Sequence, residues 1–422
     1  MLSARSPKMK KTLECGQEVR TDFALAPGYR NLNHGSYGTY PLPVRTAFRN
    51  FQELTEARPD AFVRYEYRTH LLDECRRAVE DYLHAPKDTC VFVPNATTGV
   101  ETVLRNIQYD EGDVVIGFAT LYEAFANTLR YLTQTTPLRV HMIEYTLPVS
   151  NAFLCDALEM AIKTIRSAGL RPRLLLFDTI NTLPGVRMPF ERLTKLCKMY
   201  DIWSCIDGAH GIGHIPLDLQ DLDPDFFVTN CHKWLYTPRG SGILYVPVRN
   251  QHLLQSTLPT SFGFGDSFVA NFASCGTLDD TPYLCVPDAL GWRASLSWQG
   301  QTGEVAITSY MFHLARSGGE AVARILGTEV LENEDGTLGD CALTNVRLPI
   351  GALFHETEGS KVPEDIGEWI MRTMILERNT AVNVFLYADA WWARLSAPVY
   401  ATLEDFEVAG RHLRELCESI NK

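Results

Sequence analysis

The stretch from 173 to 246, RLLLFDTINTLPGVRMPFERLTKLCKMYDIWSCIDGAHGIGHIPLDLQDLDPDFFVTNCHKWLYTPRGSGILYV, decides the fold class. It opens on RLLLFD at 173–178, an apolar run that predicts a buried strand. PFERLTKLCKMYD follows with apolar residues at helical spacing. IWSCID, FFVTN and GILYV are three more apolar runs bounded by turn-forming residues. Short buried strands alternating with helices predict an α/β fold with a mostly parallel sheet. Ligands of such sheets bind beyond the carboxyl ends of the strands, so candidate chemistry is sought there.

The same texture extends outward. Cys90–Pro94 and Val114–Gly117 read as strands, while VETVLRNI after Asn95 and LEMAIKTIRSAG closed by Gly169 read as helices. Glu53–Leu83 predicts a helix. Residues 1–30 read as an N-terminal arm, 31–300 as a large domain and 301–422 as a small C-terminal α+β domain. In the last, EVAITSYMFHLARSGGEAVARILG and LEDFEVAGRHLRELCESI are helical patterns. CALTNVRLPI, AVNVFLY and WARLSAPV are strand patterns.

Composition narrows the function classes. The 422 residues carry 39 Lys+Arg against 51 Asp+Glu, a net charge of −12. That balance disfavours nucleic acid and anionic membranes as main partners. The densest apolar run, Leu174–Phe177, is four residues, too short to span a bilayer. Eleven scattered cysteines without a CxxC motif predict buried, reduced thiols and a cytoplasmic location. The basic N-terminus has no apolar stretch behind it, so no secretory signal is expected, nor a glycan at Asn95. There is no GxGxxG after a strand, Walker A loop, HExxH or GxSxG. His210 and His214 lack a third ligand at useful spacing, so no metal is expected.

The strand ends offer specific candidates. Lys233 lies just past FFVTN between His232 and Trp234. Partial desolvation there would free its amine as a nucleophile, although a surface lysine with an aromatic neighbour is the better fit to the tripeptide alone. Asp207 ends IWSCID; it either caps a turn or holds a proton on a pyridine nitrogen. Ala96 and Thr97 open a helix, which is an ordinary cap or an anion site. Tyr122 is core aromatic or a stacking platform for a flat ring. Arg394 in an apolar strand needs a partner, either a structural carboxylate or that of a substrate.

Together with LNHGSYG (32–38), NATTG (95–99), DGAHGIG (207–213), NCHKWLYTPRGSG (230–242), CGTLD (275–279) and RLSAPVY (394–400), these residues resemble the class V aminotransferase family. The resemblance runs from about Asn31 to the C-terminus and is nearest the isopenicillin N epimerase-like branch, with its fungal members of alkaloid and ergothioneine biosynthesis. It implies the fold-type I scaffold, pyridoxal 5′-phosphate (PLP) and a homodimer with shared active sites. It makes Lys233 the Schiff-base lysine, Asp207 the partner of the ring nitrogen and Tyr122 the stacking residue, where desulfurases usually have His. It places His210 near the phenolic oxygen, with Asn181 or Thr182 as the other candidate there in a loop one residue longer than usual. Ala96, Thr97, Asn230 and His232 would surround the phosphate, joined by Thr277 from the neighbouring subunit. Asn33, His34 and Arg394 would hold the substrate, Arg394 on its carboxylate.

The resemblance further implies an amino-acid substrate and side-chain elimination, replacement or condensation through a quinonoid intermediate in fungal specialised metabolism. The alternatives are a C–S lyase acting on a cysteine-conjugate sulfoxide, or an aminotransferase or epimerase. Desulfurases carry a persulfide-forming Cys shortly before the arginine equivalent to Arg394. Here no cysteine lies between Cys341 and Cys417, which argues against desulfuration through a protein persulfide.

Overall fold

A computed structural model describes residues 12–260, 264–265, 267–351 and 365–420; residues 1–11 of the expected arm lie outside these. The centre is a seven-stranded sheet. Its strands are β1 (Cys90–Val93), β2 (Asp113–Phe118), β3 (Arg139–Ile143), β4 (Arg171–Asp178), β5 (Trp203–Gly208), β6 (Phe226–Asn230) and β7 (Gly242–Tyr245). The spatial order is β1-β7-β6-β5-β4-β2-β3, and within this sheet β7 alone runs against the others.

Alternation along the strands explains the unbroken apolar runs. Leu174 and Leu176 enter one core, with Val100, Val103, Phe125 and Leu129 from the helices Ala96–Asn106 and Glu123–Thr135. Leu175 and Phe177 enter the other, with Ile162, Ile165, Leu193 and Cys197 from the helices Asn151–Ser167 and Phe190–Met199. Both faces are covered, so both strand registers must be apolar. Each crossover returns the chain to the same sheet edge, which gathers the carboxyl ends of β1, β2, β4, β5 and β6 on one side.

Beyond residue 300 the helix Gly303–Leu326 packs against the helix Leu403–Ile420, whose Phe406, Ala409, Leu413 and Cys417 are buried at helical spacing. Beside them lies an antiparallel sheet of β8 (Leu343–Arg347), β9 (Asn383–Tyr387) and β10 (Ala390–Ser396), in the order β8-β10-β9.

Two expectations are modified. From Thr12 on, the supposed arm is folded onto the body. Leu13–Glu14 pairs with Leu296–Ser297, and Leu13, Cys15, Val19 and Phe23 are buried. Arg20 reaches Asp405 at 2.9 Å. These apolar residues are too sparse to form a periodic pattern, so the sequence reads as a tail. The helix over 53–83 begins earlier, at Leu42, and is interrupted at Arg58 (φ −153°), the residue before Pro59. The proline ring disfavours helical backbone in its predecessor.

All eleven cysteines are free thiols, and ten are buried. Among the described residues no helix is long and apolar enough to cross a membrane.

Candidate active site at the carboxyl ends of the sheet

Past the end of β6 the chain turns through Cys231 and His232 to Lys233. The Lys233 Nζ lies 3.2 Å from Nε2 of His210, on the loop after β5. Burial is the main influence on this amine and lowers its pKa to about 8; Arg394 acts the same way, while Asp207 and Asp178 oppose it. The uncharged amine that a nucleophile requires is therefore reached near pH 8 rather than above 10.

Asp207 and Asp178 are register partners at the ends of β5 and β4, each 3% exposed. Two carboxyls enclosed side by side do not both ionise. Burial and the Asp207 charge raise Asp178 well above the carboxylate range, so it holds the proton. Burial raises Asp207 too, but the Ala209 N–H, Lys233 and the Asp178 hydrogen bond all favour its charged form. Its Oδ1 accepts the Ala209 N–H at 2.8 Å.

The backbone of the lysine turn is clamped from three sides. His34, expected at the substrate, is fully enclosed with both ring nitrogens occupied. Its Nε2 lies 2.9 Å from the Lys233 carbonyl, which only accepts, so Nε2–H donates and Nδ1 takes the Tyr400 hydroxyl at 3.0 Å. Arg293 donates to the Trp234 carbonyl at 2.6 Å and to that of Gly213 at 3.0 Å. Gly38 (φ +64°) lies so close that a Cβ there would sit 1.8 Å from the His232 carbonyl oxygen. Gly213 (φ +74°) likewise approaches the Trp234 carbonyl, where a Cβ would fall at 2.6 Å. The glycines of LNHGSYG and DGAHGIG thus allow three loops to touch.

After β1, the Asn95 side chain caps the Ala96–Asn106 helix by accepting the Thr98 N–H at 2.8 Å. Asn230 Oδ1 accepts the Ala96 N–H at 2.8 Å, so this residue aligns the helix start. That start, with Thr97 in its first turn, faces the same sheet edge and suits an anion. His232 donates Nδ1–H to the Ser241 carbonyl at 2.9 Å. Burial lowers its pKa to about 4, keeping it neutral.

Asn181, after β4, is fully buried. Its Nδ2 lies 2.8 Å from the Thr120 hydroxyl, itself 2.6 Å from the Tyr145 hydroxyl, and its Oδ1 has no partner among the described residues. Inverting the amide lets Oδ1 accept from Thr120 and leaves an unused N–H₂ donor. Thr182 contributes its backbone carbonyl, which accepts from Arg394 at 2.8 Å.

Arg394 on β10 is 0% exposed. It donates to the Thr182 carbonyl, Asn33 Oδ1 and Ser36 Oγ, each at 2.8 Å. Among the described residues it has no carboxylate partner, and its Nε has no hydrogen-bond partner. Burial alone lowers its pKa, to about 10.

Two expected residues stand apart. Tyr122 follows β2 at the same sheet edge, 41% exposed and edge-on to Phe125. Thr277 is exposed on a loop that lines a separate cavity with Tyr67, Arg68 and Ser274. Lys233, Asp207, His210, Asn33 and Arg394 are linked by direct contacts or by the electrostatic influences given above.

The residues fit PLP. They offer an amine of lowered pKa for its carbonyl, a carboxylate for its ring nitrogen and a helix start for its phosphate. The orphaned amide of Asn181 is a buried polar group that a bound phenolic oxygen would satisfy. Asp178, Thr120, Tyr145, Ser36 and Trp234 were not singled out from sequence. Asp178 carries the same signal as Asp207, an Asp closing an apolar strand; the others contact the site through side chains whose aim no pattern reveals.

The Aminotransferase class-V family profile matches residues 40–346. The L-cysteine desulfhydrase-like protein lolT1 of Epichloe uncinata is 36% identical over 447 aligned positions, covering 97% of each chain. The hercynylcysteine sulfoxide lyase of Schizosaccharomyces pombe is 28% identical, covering 95% of this chain and 98% of its own. Among solved structures, a C-DES mutant with glycine covalently linked to its PLP cofactor superposes with a TM-score of 0.74 at 15% identity, covering 94% of this chain and 99% of its own.

Proposed function

The chain belongs to the class V aminotransferase family of PLP-dependent enzymes, and on that premise we propose that it is a C–S lyase acting on L-cysteine or a cysteine S-conjugate. The observation that carries the reading is Arg394, a fully buried guanidinium with no carboxylate partner among the described residues. A substrate α-carboxylate supplies the missing charge, and the Thr182 carbonyl, Asn33 and Ser36 fix the fork that receives it. The names of the two relatives support sulfur as the atom leaving Cβ. The stretch from Cys341 to Cys417 is free of cysteine, so sulfur departs as a small molecule.

PLP supplies an electron sink for charge developing at the substrate Cα. Arg394 orients the substrate so that one bond at Cα breaks in preference to the others. Lys233, with its lowered pKa, takes the Cα proton and returns one to the leaving group. Asp207 stays anionic and stabilises a proton on the ring nitrogen, while Asp178 keeps its own proton. The helix start at Ala96 and Thr97 and the Asn230 side chain would hold the phosphate end, which His232 borders with its Nδ1–H given to the Ser241 carbonyl; Tyr122 would cover the ring, and His210 and Asn181 would serve the phenolic oxygen. Thr277, exposed in one chain, would complete the phosphate site of a second subunit.

For L-cysteine the balance is cysteine plus water to pyruvate, ammonia and hydrogen sulfide. For a conjugate sulfoxide the sulfur product is a sulfenic acid. The test is product analysis with purified holoenzyme. Pyruvate released one-for-one with the sulfur species supports the proposal. Exchange of the Cα proton with the amino acid retained assigns racemisation, replacement or condensation instead, and amine loss that requires a keto acid assigns transamination.

A further inference from the structure

We infer that Trp234 is a positioning residue that fixes the tautomer of His210, so that His210 presents an Nε2–H donor to Lys233 and to the cofactor oxygen beside it. The indole Nε1 of Trp234 lies 3.2 Å from His210 Nδ1. An indole N–H only donates, so Nδ1 is the acceptor. A neutral imidazole with Nδ1 accepting carries its proton on Nε2.

His210 is 1% exposed, and the cationic or ionisable groups around it, Lys233, Arg394, His214 and His34, all disfavour a charge on the ring. The Asp178–Asp207 pair across the lysine carries the compensating negative charge. His214 accepts the Ala342 N–H through Nε2 at 2.6 Å. An imidazolium His210 would set Nδ1–H against the indole N–H, two donors face to face.

The tryptophan has no room to swing away. It is 0% exposed, its ring lies 4.0 Å from that of His214 and 5.1 Å from that of His34, and Arg293 holds its carbonyl. Once the Lys233 amine is deprotonated, the contact between His210 Nε2 and Lys233 Nζ is therefore an N–H donated to its lone pair. The lowered pKa of Lys233 agrees with that assignment.

The inference rests on the cofactor being held at these strand ends and not on which substrate is cleaved. Its readout is accordingly the pH titration of the visible band of the lysine-linked cofactor in substrate-free holoenzyme. A donor at Nε2 favours the deprotonated state, so Trp234→Phe is expected to move the midpoint up by about one pH unit. His210→Leu is expected to do the same. His210→Gln, whose amide keeps an N–H donor without a tautomer, is expected to stay near the wild-type midpoint. In the His210→Gln background, Trp234→Phe is expected to add no further shift. An unmoved midpoint in Trp234→Phe, or an equal shift in the His210→Gln background, overturns the inference. If Trp234→Phe does not fold, nitrogen-15 shifts of His210 in wild-type holoenzyme decide: protonated Nε2 with bare Nδ1 supports the assignment, and the reverse overturns it.

Discussion

Arg293 and Arg394 are both 0% exposed, yet they are treated in opposite ways. Arg293 meets Glu304 through two hydrogen bonds, at 2.8 and 2.5 Å, and caps two backbone carbonyls behind the lysine turn. Its pKa is raised. Arg394 has only neutral acceptors, and burial lowers its pKa to about 10. A buried charge left without its counter-charge is costly. The fold bears that cost where a ligand supplies the partner, and avoids it where the role is structural. Under the proposed function, neutralisation rather than burial therefore separates a binding arginine from a scaffolding one.

Five substitutions test this contrast and the lysine it surrounds. Lys233→Ala removes the group that both regions serve. The expected loss in kcat is on the order of 10⁴-fold, with disappearance of the borohydride-reducible visible band, followed by absorption spectroscopy and steady-state rates. Arg394→Gln is next. Leaving the substrate carboxylate without its guanidinium should lower kcat/KM by about 10²–10³-fold, on the order of 3–4 kcal/mol, while thermal unfolding is not lowered, since an uncompensated buried charge is gone.

Arg293→Met should show the inverse pattern. Chemical denaturation is expected to lose about 2–3 kcal/mol, below the value for a fully enclosed pair because Glu304 keeps contact with water. KM for the substrate should change little at temperatures where the variant is folded. A large KM effect here, or a stability loss in Arg394→Gln, would erase the contrast.

The smallest effect is expected at Asp178. Asp178→Asn keeps a donor facing Asp207 and should leave kcat within about tenfold, whereas Asp207→Asn should be far more damaging. Equal damage from both would mean that the proton is not on Asp178. The lysine adds a pH signature. Its pKa is lowered to about 8, and only the uncharged amine attacks, so the rate of PLP uptake by apoprotein should rise with pH about a midpoint near 8.

Much of this was legible beforehand for definite reasons. RLLLFD, IWSCID and FFVTN are buried on both faces, so every position is constrained and the strands show as continuous runs. Lys233, Asp207 and Arg394 stand at the ends of such runs or within one, where a charge is conspicuous. His34 was misread because a histidine in a glycine-rich motif looks the same whether it faces a ligand or clamps a backbone carbonyl. The segment from Thr12 to Arg30 was misread because docking onto a finished surface needs a few well-placed apolar residues and no periodicity. Asp178 was passed over although it repeats the Asp207 signal, since only the strand register shows that the two are neighbours.

The most direct test of the central claim is the rate of pyruvate release by holoenzyme from L-cysteine or a cysteine S-conjugate, with the decarboxylated analogue of the active substrate as competitor, in wild type and Arg394→Gln. Wild type should release pyruvate and be inhibited by the analogue only weakly relative to substrate affinity, and the variant should lose both the activity and that discrimination. Undiminished kcat/KM in Arg394→Gln, with the preference for a carboxylate intact, would contradict the claim.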